Sequence, residues 1–446
     1  MTTINEEHAH ALKSTCRKRF ASEVLAPLPG GQKGVYGLGL PLQLSATEVG
    51  ILANIRSWGS DVVDLELGND LLVIDRADAQ SPKDVVPLNR TDTAWHASAG
   101  TNYLLSKYPM TGGFVPFGAL GADGAPHPHA GSGFGLGSAR GFPLDSAGEV
   151  SVLHLGELNK EQVYERLEFQ QYRFEGKRFL VESSELLEPD ELLDGWRITC
   201  PPLGNCVPDG ADLLGGLMCR PSDQPSVRVE NAGIEHGTPH LARWSRIDGR
   251  WTLVAVYPVA DEPDIKFVEP SIVRDVDGDL LYSARDFRPH MPPLISVWRS
   301  SDNGRSWQQI LRKREVIAQA PVTINLALDG TAYLASCPPK QEDYSISQRE
   351  RLCLWPLSRD RTDTLDPVIA RDCPAEFGMT ACDMRRADHP VGMTVRLSDG
   401  AWHHLLCYRI LEEHGAAPIE STGLYVEEVL SETSAQPPWK FSEEPD

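Results

Sequence analysis

Along this 446-residue chain the apolar positions fall in short alternating runs, each closed by a turn. No i, i+3, i+4 apolar pattern lasts more than a few turns, except around residues 5–24 and 157–170. A period of two puts successive side chains on opposite faces of a sheet, so the runs predict strands. The second half repeats one theme, an acid-Gly pair followed by alternating apolar residues: Asp248-Gly249, Asp277-Gly278, Asp329-Gly330 and Asp399-Gly400. Asp-Gly tolerates the positive φ of tight turns, so each copy predicts a β-hairpin. Weaker copies stand at Gly68-Asn69-Asp70 and Glu175-Gly176. Gly (38) and Pro (34) are spread evenly through the chain, which also favours many short strands over helices.

Hairpins recurring from end to end predict an all-β fold, a β-propeller of six or seven blades whose sheets bury their faces against one another. The alternatives are one large sandwich or two β domains. The expected organisation is an N-terminal extension (1–25), a single propeller (26–430) and a poorly ordered C-terminal tail (431–446). Segment 157–200, rich in Glu, Arg and Leu, reads as a charged outer strand pair or a short helical insertion.

Composition narrows the function classes. Hydrophobic residues make 41% of the chain and charged residues 24%, which is globular composition. A net charge of −21 repels nucleic acid at long range, so none is expected as a partner. An anionic ligand would need a local cluster of arginines. No run approaches the ~20 apolar residues of a membrane span, and two acids follow the first five residues, so the expectation is a cytoplasmic protein without a membrane partner. Nine cysteines with no CxxC pair argue for scattered reduced thiols.

Ser300-Ser301-Asp302-Asn303-Gly304-Arg305-Ser306-Trp307 fits S-x-D-x-G-x-x-W and resembles the Asp-box (BNR repeat) of sialidase-like β-propellers. Its Ser and Asp bond turn backbone, its Gly takes the left-handed position and its Trp packs beneath. Glu269-Pro270-Ser271, the following Asp277-Gly278 hairpin and Arg285 resemble the E-P-S … D-G … R stretch of the same superfamily. The resemblance is firm over residues 230–310. It implies that Glu269 partners a nucleophile and that Arg285 grips a substrate carboxylate. Arg349 resembles a further arginine of that grip. Two features of sialidases are missing: there is no Arg-Ile-Pro near the N-terminus, and the expected Tyr-Ser is replaced by the stretch from Met379 to Met384, with Cys382 and Asp383. True sialic-acid hydrolysis is therefore not expected. Glu269 at a strand start is also suited to capping backbone donors.

Histidines form the second set. His127 and His129 sit in a long Gly-rich loop, and His236 and His240 precede the recognisable hairpins, with Arg243 nearby. Loops at one end of a propeller converge on its axis, so these side chains are expected to meet Glu269, Arg285 and Arg349 in one pocket. A neutral imidazole there would abstract a proton α to a uronate carboxylate or protonate a glycosidic oxygen. A histidine in a Gly/Pro loop is as readily a structural hydrogen-bonder. His127-x-His129 lacks a third zinc ligand, the Gly131–Gly137 run lacks phosphate-loop spacing, and His403-His404 lie in an alternating strand, so no metal or cofactor is expected.

The expected function is a carbohydrate-active enzyme, an exo-acting glycoside hydrolase on an anionic or uronate-containing glycan. A polysaccharide or oligosaccharide lyase is the runner-up, and a non-catalytic sugar-binding propeller the third reading. The catalytic candidates are Glu269, His127, His129 and His240, and the substrate-binding candidates Arg285, Arg349, His236 and Arg243. The sequence carries no signal for oligomeric state.

Overall fold

The alternating runs become antiparallel meanders, one after another along the chain. The computed structural model describes residues 12–20, 34–57, 66–77, 81–96, 100–148, 150, 164–224, 237–260, 262, 267–286, 292–339, 349–377, 384–413, 422–431 and 437–442. After strand β1 (Lys13–Phe20), the first meander is β2 (Gly34–Gln43), β3 (Val49–Ser57), β4 (Glu66–Ile74) and β5 (Asp84–Arg90). The hairpin of β6 (Asp92–His96) and β7 (Thr101–Lys107) leads to β8 (Thr111–Val115) and the two-residue β9 (Ala119–Leu120). Next come β10 (Ser132–Pro143), β11 (Tyr164–Glu175) and β12 (Arg178–Leu187). β8 and β7 both pair with β10, and a single parallel contact, Leu67 with Lys107, joins these strands to the first meander as one ten-stranded sheet.

A five-stranded sheet follows, with β13 (Trp196–Cys200), β14 (Val207–Asp209), β15 (Asp212–Pro221), β16 (Thr238–Ile247) and β17 (Arg250–Pro258). The next two sheets are simple four-strand meanders. One is β18 (Phe267–Arg274), β19 (Leu280–Asp286), β20 (Leu294–Ser300) and β21 (Gln308–Arg314). The other is β22 (Thr323–Leu326), β23 (Ala332–Ser336), β24 (Arg351–Pro356) and β25 (Val368–Asp372), followed by the helical turn α1 (Cys373–Phe377). The closing sheet is β26 (Met384–Arg396), β27 (Trp402–Glu413) and β28 (Gly423–Leu430), with β1 paired antiparallel to β28. The segment read as an N-terminal extension thus supplies the outer strand of the last sheet. Tying the two ends of the chain in one sheet closes the assembly and covers an edge.

Apolar layers lie between successive sheets. Phe267, Ile272, Tyr282 and Trp298 pack on Leu214, Met218 and Leu241 of the preceding sheet, while Leu281, Ile295 and Val297 pack on Ile324, Leu334 and Trp355 of the next. Tyr333 and Leu352 meet Leu406 and Tyr408 of the closing sheet, whose Val395, Leu405 and Val426 in turn meet Val49, Ile51 and Leu72 of the first. The result is a propeller-like arrangement of sheets, each burying one face on each neighbour.

The Asp-Gly turns carry positive φ at Gly249, Gly278, Gly330 and Gly400, as hairpins require. In the turn after β20, Ser300 Oγ accepts the Gly304 N–H at 2.8 Å, and Asp302 accepts from the Ser306 N–H at 2.9 Å and its hydroxyl at 2.6 Å. Trp307 packs beneath, edge-on to Tyr282.

Two further expectations change, at Gly68-Asn69-Asp70 and in the C-terminal tail. Gly68-Asn69-Asp70 is no turn but the middle of β4. Asn69 bonds Asn89, the Tyr108 carbonyl and the Met110 N–H, and Asp70 pairs with Arg90 at 2.6 Å and Tyr36 at 2.8 Å, so the polar side chains are satisfied inside the sheet and the chain does not reverse there. Residues 164–187, in the segment read as a charged outer strand pair or a short helical insertion, form the β11–β12 strand pair. In the tail, β29 (Lys440–Phe441) pairs with β9, Trp439 is buried, and Phe441 stacks on Trp402.

Candidate functional site

The charged centre begins with two prolines. Pro270 in β18 and Pro390 in β26 have no N–H to give the ladder, and the pairing register shifts at both places, between Val268 and Ser271 and between Asp388 and Val391. The residue ahead of each proline swings into the left-handed region, Glu269 with φ 55° and His389 with φ 52°. Such backbone costs about 1–3 kcal/mol for a residue other than glycine and concentrates where function holds it. The two bulges face each other, with His389 Nε2 3.6 Å from Glu269 Oε1.

Arginines surround this pair. Arg285, whose residue pairs with Val268 across the β18–β19 hairpin, donates from Nη1 to Glu269 Oε2 at 2.9 Å and from Nη2 to the Gln319 carbonyl at 3.3 Å. Arg349 donates to the same carbonyl from Nε at 3.1 Å and Nη2 at 2.9 Å, and from Nη1 to Asp388. Arg409, opposite Asp388 on β27, donates to it from Nε at 2.5 Å and Nη2 at 3.3 Å. His389 Nδ1 lies 3.0 Å from Asp388 Oδ1, a charge contact with the ring out of line for a directed hydrogen bond. Three guanidinium groups thus share two carboxylates.

Neighbouring charge outweighs burial in setting the protonation states of the two carboxylates. Asp388 is fully buried and Arg349 and Arg409 nearly so, whereas the Glu269 and His389 side chains keep 17% and 14% exposure. Burial alone would raise the Glu269 carboxyl; Arg285 and then His389 outweigh it and hold it well below the usual carboxylate range. Asp388 behaves likewise, with Arg409, His389 and Arg349 outweighing burial. Burial and the neighbouring Arg349 push the Arg285 guanidinium down, against the pull of Glu269. Cys200, near Glu269, is pushed up to about 11 by burial and then by the Glu269 charge, so it is a thiol near neutrality.

The sequence candidates separate here. Glu269, Arg285 and Arg349 come together. His127 does not join them: its Nε2 lies 2.9 Å from the Gly210 carbonyl and its Nδ1 accepts the His129 N–H at 3.2 Å. His129 lies edge-on to Trp251, and burial lowers its pKa. His240 bonds the Thr238 carbonyl at 2.9 Å and packs edge-on to Trp196. These three rings are absorbed in the loop and the sheet core by carbonyls and indoles. Arg243 is clamped by Asp209 at 2.8 Å and Asp212 at 2.7 Å. His236, Cys382 and Asp383 lie outside the described residues. Asp388, His389 and Arg409 were missed. The available signal was His389-Pro390 ahead of Asp399-Gly400, which repeats Glu269-Pro270 ahead of Asp277-Gly278.

A cavity of about 460 Å³ lies toward the other end of the same strands, lined by Asn205, Ile272, Arg274, Asn325, Thr394 and Trp439. Arg274 there is engaged with Asn303 and the Pro208 carbonyl, and Asp275 with Arg361. Among the described residues, the charged groups of its lining, Arg274 and Asp275, are thus taken up by partners within the protein. Among the described residues no group of three or more His, Cys, Asp or Glu is placed to hold a metal.

No family model matches the chain, and no curated protein matches it either. Solved structures do match, by fold. A protein of unknown function from Dyadobacter fermentans aligns at TM-score 0.58 with 12% identity, over 95% of this chain and all of that one. The Trypanosoma rangeli sialidase in complex with 2,3-difluorosialic acid, a covalent intermediate, aligns at 0.51 with 10% identity, over 94% of this chain but only 58% of that one. The intramolecular trans-sialidase from Ruminococcus gnavus, in complex with oseltamivir carboxylate, aligns at 0.50 with 10% identity, over 89% and 94%. The chain has a sialidase-like, all-β propeller fold.

Proposed function

We propose that the Glu269–Arg285–Arg349 centre is the active site of a carbohydrate-active enzyme, an exo-acting glycoside hydrolase on an anionic glycan. The observation that supports it best is the surplus of guanidinium over carboxylate around one partly open acid, in a chain whose overall charge is −21. A cationic centre in an acidic protein favours a substrate carboxylate locally while the rest of the surface does not. Arg285 and Arg349 would hold that carboxylate, and the partly exposed Glu269 edge would face the sugar. The sialidase-like fold and the Glu269-Pro270-Ser271 stretch lend weight to hydrolysis. The absence of the sialidase tyrosine from the sequence motif favours a sugar acid other than sialic acid.

A uronate lyase is the second reading, favoured by a histidine standing beside arginines while both carboxylates are held ionised. Neither carboxyl keeps a proton near neutrality, unlike the raised acid of a two-carboxylate glycosidase. The fold count we infer is six blades. The ten-stranded sheet divides into β2–β5 and β8, β10–β12 with the β6–β7 hairpin between them, and the four other sheets of four or five strands complete the ring, leaving the two-stranded β9–β29 sheet aside.

Umbelliferyl glycosides of glucuronic, galacturonic and N-acetylneuraminic acids, together with uronate oligosaccharides, test the proposal. Release of umbelliferone or a new reducing end without ultraviolet absorbance supports the hydrolase. Absorbance from a new double bond supports the lyase. Binding without turnover supports a sugar-binding propeller, and neither binding nor turnover of any of them defeats the reading.

A further inference from the structure

Glu269 and His389, both left-handed and both ahead of a proline, face each other, and they are the two most accessible polar groups of the centre. The residue before proline is driven toward extended backbone, so both bulges work against local preference. What they achieve is an imidazole set between two carboxylates: Nδ1 at 3.0 Å from Asp388 Oδ1 and Nε2 at 3.6 Å from Glu269 Oε1. The latter distance is longer than a hydrogen bond, so Nε2 is directed at Glu269 without being consumed by it. The charged groups around this ring are Glu269 from β18, Arg285 from β19, Arg349 ahead of β24, Asp388 on β26 and Arg409 on β27. Glu269 and Asp388 are each tied to arginine and stay ionised; the arginines hold their protons. The imidazole is the member of this group whose two ring nitrogens suit it by chemistry to general acid–base transfer.

We propose that His389 is the catalytic proton-transfer group of this centre, with Asp388 as the positioning residue behind it. The inference rests on the hydrolase reading above. In the forward step the imidazolium gives its Nε2 proton to the glycosidic oxygen as the bond from that oxygen to the anomeric carbon breaks. The neutral ring then takes a proton from the water that adds to the anomeric carbon. One water is consumed, two hydroxyl products form, and the imidazolium is restored. Ionised Glu269, directly opposite Nε2, stabilises the positive charge on both the ring and the sugar. If the double-bond product is formed instead, the same ring serves as the base that removes the carbon-bound proton and returns it to the leaving oxygen.

The test is His389→Gly with added imidazole, on whichever glycoside the wild type turns over. Glycine accepts φ 52° without strain, which offsets part of the stability lost with the ring's contacts to Asp388 and Glu269, and the melting temperature is measured alongside. Turnover number should fall about 100-fold or more, with KM little changed and the acidic or basic limb of the pH profile gone. Imidazole at tens of millimolar should restore a substantial part of the rate to His389→Gly and none to Arg285→Lys, whose loss should appear mainly in KM. Retained activity in His389→Gly, or lost activity that imidazole does not restore in a protein still folded at the assay temperature, overturns the proposal while leaving the hydrolase reading standing. A wild type that turns over no glycoside of the panel overturns both.

Discussion

Replacing Asp388 by Asn removes the negative charge that Arg349, Arg409 and His389 share, with almost no change in shape. Asp388 is 0% exposed and its two arginine partners 2% and 5%, so solvent does not take over when the charge goes. Breaking a buried pair by deleting one partner costs about 3–5 kcal/mol. The lower end applies here, because Asn keeps one acceptor oxygen and Arg349 keeps two bonds to the Gln319 carbonyl. At roughly 2.1 cal/mol/K of unfolding entropy per residue, 446 residues give about 0.9 kcal/mol/K, so ~3 kcal/mol lowers the melting temperature by about 3 °C. Differential scanning calorimetry of Asp388→Asn beside Arg351→Ala, which breaks only the exposed pair with Asp372, separates a buried effect from a general one. A loss below 1 °C for Asp388→Asn, or an equal loss for both variants, would mean that water already screens the cluster and that the tightly held counter-charge is wrongly described.

Two further outcomes follow from buried groups elsewhere. His404 is fully enclosed, bonded to Tyr333 at 2.7 Å and Thr394 at 3.0 Å, and burial lowers its pKa to about 3. Its folded value lies below the ordinary ~6.5, so the unfolded chain binds the extra proton; the stability contribution is full above ~6.5 and is lost as pH falls toward 3. Melting temperature against pH should therefore decline less steeply over that window in His404→Gln, and an unchanged slope would refute a neutral buried ring. Trp439→Ala should cost about 3 kcal/mol, the low end for a buried Trp because part of its surface faces the 460 Å³ cavity. A neutral result in the same melting assay would show that the C-terminal strand is not part of the fold.

What the sequence revealed was local. The Asp-Gly hairpins and the Ser300–Trp307 turn could be read because their geometry is fixed by the few residues that form them. Asn69 looked like a turn residue because its partners, Asn89, Tyr108 and Met110, lie on other strands. β1 was similarly hidden, since its partner β28 stands at the far end of the chain. In the site, Glu269 and Arg285 were legible as the two ends of one hairpin, and they meet at 2.9 Å. The histidines were chosen for their Gly-rich and Pro-flanked loops, but loop composition does not say which carbonyl will take up a ring. Gly210 takes His127, and Thr238 takes His240. His389 was passed over because its meaning depends on a bulge facing another bulge from a different sheet.

The central claim is that the arginines around Glu269 receive the carboxylate of a sugar. The most direct measurement is the crystal structure of the protein soaked with the uronic or nonulosonic acid glycoside that it binds. The account predicts density for one sugar whose carboxylate is within hydrogen-bond distance of Arg285 and Arg349, with its anomeric carbon toward Glu269 and His389. Sugar density in the cavity beside Trp439 with the arginine centre empty, or a sugar bound there with its carboxylate turned to solvent, would contradict it.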